Sequence, residues 1–291
     1  MNIYDKVLSL DRRIIFLIIL VVVIMPIIIP LNLPVCVTKD VLGVYNSVDS
    51  IPNGSHIFVT VDYEPGSTPE MDPMSKAILL HCLMKDLKIV SISYFVDGAG
   101  VGETLFKEVG VLYEKETGKK LVNGVDYSFL GYKPGNYAMI IGLGQDIYQT
   151  SPEDHYKNKT RDLSIFKGIK TLSDFPYLVC LHDDSYLDSW IIYGHERIGI
   201  KIGSCCTAIM ATGSYPYLNA GQVTGIVGGL KGASEYEKLV NDNYLKNIKL
   251  KNARQGMDSQ SVIHTLIILL MILGNFAYIG KMRFERKEKL K

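Results

Sequence analysis

The sequence predicts an α/β fold, a doubly wound and mostly parallel sheet, flanked by one transmembrane helix on each side. Between residues 53 and 244, short apolar runs rich in β-branched residues alternate with segments whose apolar residues recur at helical spacing. Such alternation is typical of a parallel sheet with helices on both faces. Two charge-free apolar runs bracket this region. Each is long enough to cross a bilayer, since a helix needs roughly 20 apolar residues for that.

The first apolar run extends from Ile14 to Thr38. We predict a transmembrane helix over residues 14–34, preceded by a cytoplasmic segment over residues 1–13. A signal peptide is the alternative, but its apolar region is usually only about 7–15 residues long and precedes a small-residue cleavage site, which is missing here. Cys36 also lacks the small residues that normally precede a lipidated cysteine. The helix should loosen towards its end because proline removes a backbone donor, and the run contains Pro26, Pro30 and Pro34.

The second apolar run lies between Asp258 and Lys281 and predicts a transmembrane helix over residues 260–280. Its only strongly polar residues, His264 and Asn275, lie near its ends. A histidine inside a membrane is a candidate functional residue, but an interfacial position for His264 is the simpler interpretation. A basic tail follows over residues 281–291.

Positively charged residues near the two helices predict the orientation, because they tend to stay in the cytoplasm. Nine lie on the outer sides: Lys6, Arg12, Arg13, Lys281, Arg283, Arg286, Lys287, Lys289 and Lys291. Five lie on the inner sides: Lys39, Lys246, Lys249, Lys251 and Arg254. We therefore expect a cell-membrane protein with cytoplasmic termini and an extracytoplasmic α/β domain over residues 35–258.

Composition excludes one class of partner and indicates another. The formal net charge is +1, so we expect no nucleic acid as a partner. Membrane lipid is expected, and the basic tail could contact anionic headgroups. The five cysteines show no paired framework and fit buried, small apolar residues.

The elements of the central domain follow from local patterns. Strands are predicted at residues 56–62, 88–96, 126–132, 137–143, 177–182 and 198–204. Helices are predicted at residues 71–87, 103–116 and 186–197. About 190 residues with no internal repeat indicate one domain.

In an open parallel sheet, ligands bind outside the carboxyl ends of the strands, where the strand order reverses. The residues after the predicted strands are therefore the candidates for ligand binding, namely Asp62, Glu64, Asp97, Asp183, Asp184 and Cys205. A structural alternative applies to several of them. Residues 67–70 read as a helix start with a hydroxyl cap, proline and acid, and Asp184 or Ser185 could cap the next helix.

Motifs for catalysis or cofactors are weak. The glycine-rich stretch over residues 98–102 lacks the third glycine of a dinucleotide-binding turn and fits a flexible turn equally well. Cys205 or Cys206 could act as a nucleophile with His182 or His195 as base, but no known nucleophile motif surrounds them. We expect no catalytic residue, no metal and no cofactor, and hence a protein that is not an enzyme.

A glycine-rich segment from Asn219 predicts a helix with small residues four apart. Such a stripe lets another backbone approach closely. The interface candidates are Gly221, Gly225, Gly228, Gly229 and Gly232. Their partner is the sheet of the same domain or another subunit, unless the segment is not helical.

Four stretches together resemble a family of uncharacterised prokaryotic proteins with two transmembrane helices: RRIIFLIIL, FVTVDYEPGSTPEMDPMSKAILLH, GYKPGNYAMIIGLGQDI and GQVTGIVGGLKGASEYEKL. At the level of the fold, the strand–DYEP–helix opening is similar to flavodoxin-like or amidotransferase-like auxiliary domains of ABC exporters, including the gliding-motility type. That resemblance implies a flavodoxin-like alternative for the sheet and a domain without a catalytic apparatus.

These observations favour a non-enzymatic accessory or assembly subunit of a membrane complex, related to transport or secretion. Its partners would be other membrane protein subunits or a second copy of itself. The first alternative is an extracytoplasmic domain that senses or binds a small molecule or a cation. The second is a membrane-tethered, cysteine-dependent hydrolase.

Overall fold

The computed structural model describes residues 6, 8–135 and 137–288 of the 291-residue chain. It contains two compact units. The terminal unit is drawn from Met1–Pro34 and Arg254–Lys291, and the central unit is Val35–Ala253. The last residues of the predicted basic tail, from 289 onwards, lie outside the described part of the chain.

The terminal unit contains helix α1 (Arg12–Ile28) and most of helix α11 (Asn252–Glu288). Among the described residues one helix, Asn252–Phe284, is long and apolar enough to cross a membrane, judged by length and composition alone. It contains the predicted second span at 260–280. The prediction of a first transmembrane helix over residues 14–34 is wrong, since no helix covers that range and, within the described residues, no helix near the N-terminus is long and apolar enough to cross a membrane. Helix α1 stops at Ile28 and the backbone of Ile29 is extended, because a residue that precedes a proline is disfavoured in helical conformation.

The central unit is built on a six-stranded, wholly parallel sheet with the order β3-β2-β1-β4-β5-β6. Its strands are β1 (His56–Asp62), β2 (Lys88–Ser93), β3 (Tyr127–Tyr132), β4 (Tyr177–His182), β5 (Lys201–Cys206) and β6 (Ile226–Gly228). The order 3-2-1-4-5-6 is the common order of a doubly wound sheet, whereas the flavodoxin-like variant of that fold runs 2-1-3-4-5. The doubly wound prediction is therefore confirmed, and the flavodoxin-like alternative is wrong.

Helices cover both faces of the sheet. The first face packs against α2 (Lys39–Asp49), α3 (Thr68–Met84), α4 (Gly98–Thr117) and α10 (Gly229–Asn243). The second face packs against α5 (Tyr137–Gln145), α6 (Ile147–Thr150), α7 (Tyr186–Ser189), the π-helix Trp190–His195 and α9 (Ala208–Asn219), with α8 (Glu196–Ile198) between the π-helix and β5. Side chains of β1 alternate between these two cores, since Val59 and Val61 belong to the first and Phe58 to the second.

Two predicted elements have the other secondary structure. Residues 137–143, predicted as a strand, lie in helix α5, because a short apolar run does not distinguish a strand from a buried helix. The helix predicted from Asn219 is interrupted by strand β6. Gly221 has a φ of +76° in a turn before that strand, and the helix α10 begins only at Gly229.

Candidate functional site

The strand order reverses between β1 and β4, which are neighbours in the sheet although 114 residues lie between the end of β1 and the start of β4. At such a switch point the loops leave in opposite directions and open a crevice. Here a crevice of about 350 Å³ is lined by residues that follow β1, β4 and β5: Gly66, Ser67, Pro69, Glu70, Asp183, Thr207, Ile209 and Met210. We call it the switch-point crevice.

Asp183 joins two walls of the crevice. It follows β4, and its Oδ2 accepts a hydrogen bond of 2.8 Å from the backbone N–H of Glu64, in the loop after β1. The backbone N–H of Asp183 in turn donates to the carbonyl oxygen of Asp62 at 3.3 Å. The structure thus brings together three of the residues predicted from the strand ends, Asp62, Glu64 and Asp183.

The carboxylate of Glu70 lies at the N-terminal ends of two other helices, α9 and α10. Its Oε1 accepts a hydrogen bond of 2.8 Å from the backbone N–H of Ala208, the first residue of α9. A Cβ at Gly229, the first residue of α10, would lie only 2.7 Å from the same oxygen. The positive ends of helix dipoles favour a carboxylate at this position. From the sequence, Glu70 reads as an acid in the first turn of its own helix or as one of a cluster of carboxylates with Asp62 and Glu64, and nothing local reveals a partner 138 residues away.

Asp62, the last residue of β1, is fully buried and adjoins Asp183 of the crevice lining. Its Oδ1 accepts a hydrogen bond of 2.7 Å from the backbone N–H of Tyr94, whereas Oδ2 has no hydrogen-bond partner among the described residues. The hydroxyls of Thr60 and Ser93 are near enough to Asp62 to lower its pKa, but Thr60 Oγ1 donates to Cys180 Sγ and Ser93 Oγ to the carbonyl oxygen of Phe95, so neither gives Oδ2 a full hydrogen bond.

Burial raises the pKa of Asp62 to about 7, and the charge of Asp183 adds to that rise. The backbone N–H of Tyr94 and the hydroxyls of Thr60 and Ser93 oppose it. A carboxyl group in this state exchanges a proton near neutral pH. Such perturbed groups are concentrated at functional sites, although structural networks also contain them.

Two aromatic side chains beside Asp62 also carry unpaired polar atoms. The rings of Tyr94 and Trp190 lie 5.6 Å apart between centroids. Neither Tyr94 Oη nor Trp190 Nε1 has a partner among the described residues, although both atoms are buried. Trp190 begins a π-helix, an uncommon element that is frequent at functional sites. Unsatisfied buried polar atoms are unusual in a protein interior, where such atoms are almost always paired.

A network of polar side chains joins β4, β5 and α9 on one face of the sheet. His182 Nε2 and Ser204 Oγ are 3.1 Å apart, and Ser204 Oγ is 3.0 Å from Ser214 Oγ. His182 Nδ1 lies 2.8 Å from the carbonyl oxygen of Asp184. The pair of Ser204 and His182 resembles a nucleophile with its base, but His182, Ser204 and Ser214 are at most 1% exposed. Their side chains satisfy one another inside the core, which is a structural arrangement.

The remaining acidic candidates lie outside the crevice lining. Asp97 is exposed at the beginning of α4, and its side chain makes no capping hydrogen bond. Asp184 is exposed, and its Oδ1 accepts from the backbone N–H of Ser185. Neither Asp97 nor Asp184, which is adjacent to Asp183 in the chain, lines the crevice, and this does not by itself test a role in binding.

The two neighbouring thiols are fully buried on opposite faces of the sheet. Cys205 packs in the first core and Cys206 in the second. Burial raises the pKa of Cys206 to about 11 and holds the pKa of Cys205 well above its ordinary value. Both are therefore thiols rather than nucleophilic thiolates at neutral pH. This geometry gives no support to a cysteine-dependent hydrolase.

The five glycines proposed for an interface do not form one helical stripe. A Cβ at Gly225 would collide with the backbone carbonyl of Asp40 in α2, and one at Gly232 would lie 3.0 Å from the backbone of Val227. Gly228 and Gly229 form the junction of β6 and α10. These close approaches lie within this chain.

Within the described residues, no three His, Cys, Asp or Glu side chains are arranged so that they could hold one metal ion. A scan against models of protein families, a search of curated proteins and a search of solved structures found no match. The resemblance stated from the sequence therefore stays a prediction. The fold and site define an α/β protein with a doubly wound parallel sheet and an acidic crevice at its switch point.

Proposed function

We propose that this protein is a membrane-anchored binding protein whose α/β domain takes a small molecule in the switch-point crevice. The observation that carries the proposal is Asp62, a buried carboxyl group with one unpaired oxygen, whose backbone carbonyl accepts a hydrogen bond from Asp183 of the crevice lining. A group that costs stability in this way is expected where a ligand or proton compensates for it.

The crevice is unsuited to nucleotide phosphates. In dinucleotide-binding sheets of this strand order, a glycine-rich turn after β1 and the beginning of the following helix hold the pyrophosphate. Here that turn carries Glu64, Pro65 and Pro69, and Pro69 has no backbone N–H to offer. The beginnings of α9 and α10 already face the carboxylate of Glu70.

A thermal-unfolding screen tests the proposal. The full-length protein in mild detergent is heated with a broad collection of metabolites, and unfolding is followed by the fluorescence of Trp190, the chain's single tryptophan. We expect at least one compound to raise the Tm of the natural protein and to lose that effect in Asp183→Asn. Asp97→Asn, an exposed acid outside the crevice lining, is the matched control and should keep the effect. A collection without any Asp183-dependent shift would refute the proposal.

The membrane arrangement is part of the same proposal. We place both termini in the cytoplasm and the α/β domain outside, with α11 and the apolar N-terminal region as anchors. The excess of positive residues at the outer ends of the two apolar runs supports this orientation.

The protein contains its own probe for that orientation. Cys36 is exposed, whereas Cys82, Cys180, Cys205 and Cys206 are buried. A membrane-impermeant maleimide should therefore label Cys36 in intact cells, and Cys36→Ser should abolish the labelling. Labelling that appears only after the cells are opened would place the domain in the cytoplasm.

The accessory-subunit function now has less support than ligand binding. One of its premises was a continuous glycine-striped helix, and the structure has a strand and a shorter helix in that segment. Purification from native membranes with identification of co-purifying proteins tests it, and stoichiometric membrane partners would restore it.

A further inference from the structure

We infer that the ligand of the switch-point crevice carries an organic ammonium group, which Asp183 and Glu70 bind while Asp62 gives up its proton. This inference rests on the proposed function and adds the chemical class of the ligand. It follows from the negative charge at the carboxyl end of the sheet, from the groups that make the crevice unfavourable for anions, and from the unpaired oxygen of Asp62.

The carboxyl ends of β1 and β4 concentrate negative charge. Five acidic residues lie within eight positions of these strand ends: Asp62, Glu64, Glu70, Asp183 and Asp184. No ion pair found among the described residues includes any of them. Their hydrogen bonds come from backbone N–H groups, which leave the negative charge without a neutralising cation. A cationic ligand would supply one.

Asp62 gives a second and independent indication. An acidic cluster alone can be a solvated surface, but Asp62 Oδ2 is buried and has no partner within the described chain. The titratable groups that face Asp62 are Asp183 after β4, Tyr94 after β2, Tyr186 in α7, and Cys180 and His182 in β4. Burial lowers the pKa of His182, which favours its neutral form. None of these groups is cationic, so nothing in the immediate surroundings of Asp62 stabilises the ionised carboxylate except hydrogen bonds. A positive charge bound beside Asp183 would do so.

An ammonium fits better than an anion or a metal ion. The carboxylate of Glu70 stands where an anion would meet the beginning of α9. A hard metal ion prefers six or more oxygen ligands, and no three-residue group suited to a metal exists among the described residues. Ile209, which is 83% exposed, and Met210 line the crevice and can contact the carbon substituents of an amine.

Choline, ethanolamine and putrescine are suitable probes because each has a neutral counterpart of similar shape. For choline that counterpart is 3,3-dimethyl-1-butanol, which replaces the charged nitrogen by carbon. Binding to the full-length protein in mild detergent is measured by titration calorimetry. We expect at least one amine to bind, its neutral counterpart to bind at least about tenfold more weakly, and Asp183→Asn and Glu70→Gln each to lose about tenfold in affinity. Asp97→Asn should bind like the natural protein.

The pH dependence of the binding affinity makes the test specific for Asp62. A cation that favours the ionised form should bind about tenfold more tightly at about pH 8 than at about pH 6, because at the lower pH its binding must first displace the proton. Asp62→Asn should bind with an affinity that no longer changes between these values. The asparagine can still accept the hydrogen bond from Tyr94, so the fold is preserved.

The outcomes separate this inference from the proposed function. If none of the three amines binds, or if the neutral counterparts bind equally well, the inference is overturned. It is also overturned if Mg²⁺ or inorganic phosphate binds in preference to the amines. In each of these cases an Asp183-dependent ligand from the thermal screen would leave the proposed function standing. A pH dependence that persists in Asp62→Asn would overturn the role of Asp62.

Discussion

Two buried carboxyl groups at opposite ends of the sheet have opposite environments. Asp62, at the carboxyl end, has one oxygen without a partner among the described residues and a pKa raised to about 7 by burial. Glu116 lies at the end of α4, where the chain returns to the amino end of the sheet. Its carboxylate accepts backbone N–H bonds of 2.8 to 2.9 Å from Lys246, Asn247 and Ile248.

The pKa of Glu116 is lowered, since these donors outweigh the effect of burial. Its carboxylate thus holds the segment that leads towards α11, and the ionised form is the stable one. The comparison shows how a structural acid differs from a candidate functional acid. The fold supplies Glu116 with enough donors to remain charged, whereas it leaves Asp62 short of them.

The largest effect is expected for Asp62→Asn. The folded protein holds the Asp62 proton up to about pH 7, whereas the unfolded chain releases it near the ordinary aspartate pKa of 3.8. The natural protein therefore loses stability as pH rises between these values, and the variant does not. At about pH 8 the variant should be more stable by up to about 4 kcal/mol. The difference should vanish near about pH 4.

Chemical unfolding of the full-length protein, followed by Trp190 fluorescence at both pH values, measures this difference. Asp97→Asn serves as the control and should change stability by less than about 0.5 kcal/mol at either pH. A variant no more stable than the natural protein at the higher pH would show that Asp62 is adequately solvated or paired.

Gly225→Ala should have the next largest effect, at the amino end of the sheet. Gly225 precedes β6, and a Cβ there would collide with the backbone carbonyl of Asp40 in α2. Because the added Cβ and the carbonyl oxygen that it meets are both fixed to the backbone, neither can move away cheaply. We therefore expect the free energy of unfolding to fall by about 3 kcal/mol. Gly66→Ala is the comparison at the carboxyl end, where the added Cβ would meet open space. Similar stabilities for the two variants would mean that α2 does not pack closely on β6.

Glu116→Gln should have the smallest effect of the three. The amide keeps one acceptor oxygen but replaces the other by an NH₂ donor that faces backbone N–H groups, at a cost of about 2 kcal/mol. Since the pKa of Glu116 is lowered in the folded protein, its contribution is present at neutral pH and declines in acid. The variant should therefore differ from the natural protein at about pH 7 and converge with it in acid. Equal stability at neutral pH would remove the contrast with Asp62.

Local sequence signals were sufficient for much of the fold. Strands β1 and β4 have the predicted bounds, because each is a compact apolar run ended by acidic or turn residues. The same signals did not distinguish a strand from a helix at residues 137–143 or locate β6. In both segments the deciding factor is whether a neighbouring strand is available for pairing, which lies far away along the chain.

By itself the sequence determined that acidic residues would gather at one end of the sheet, because the carboxyl ends of parallel strands share an edge. Only the tertiary structure decided which of these acids matter. The strand order places Asp62 beside His182 across the switch point, the backbone N–H of Tyr94 binds one of its oxygens, and Glu70 reaches Ala208. Burial and hydrogen-bond supply depend on contacts between distant segments, and they set the charge state of each carboxyl group.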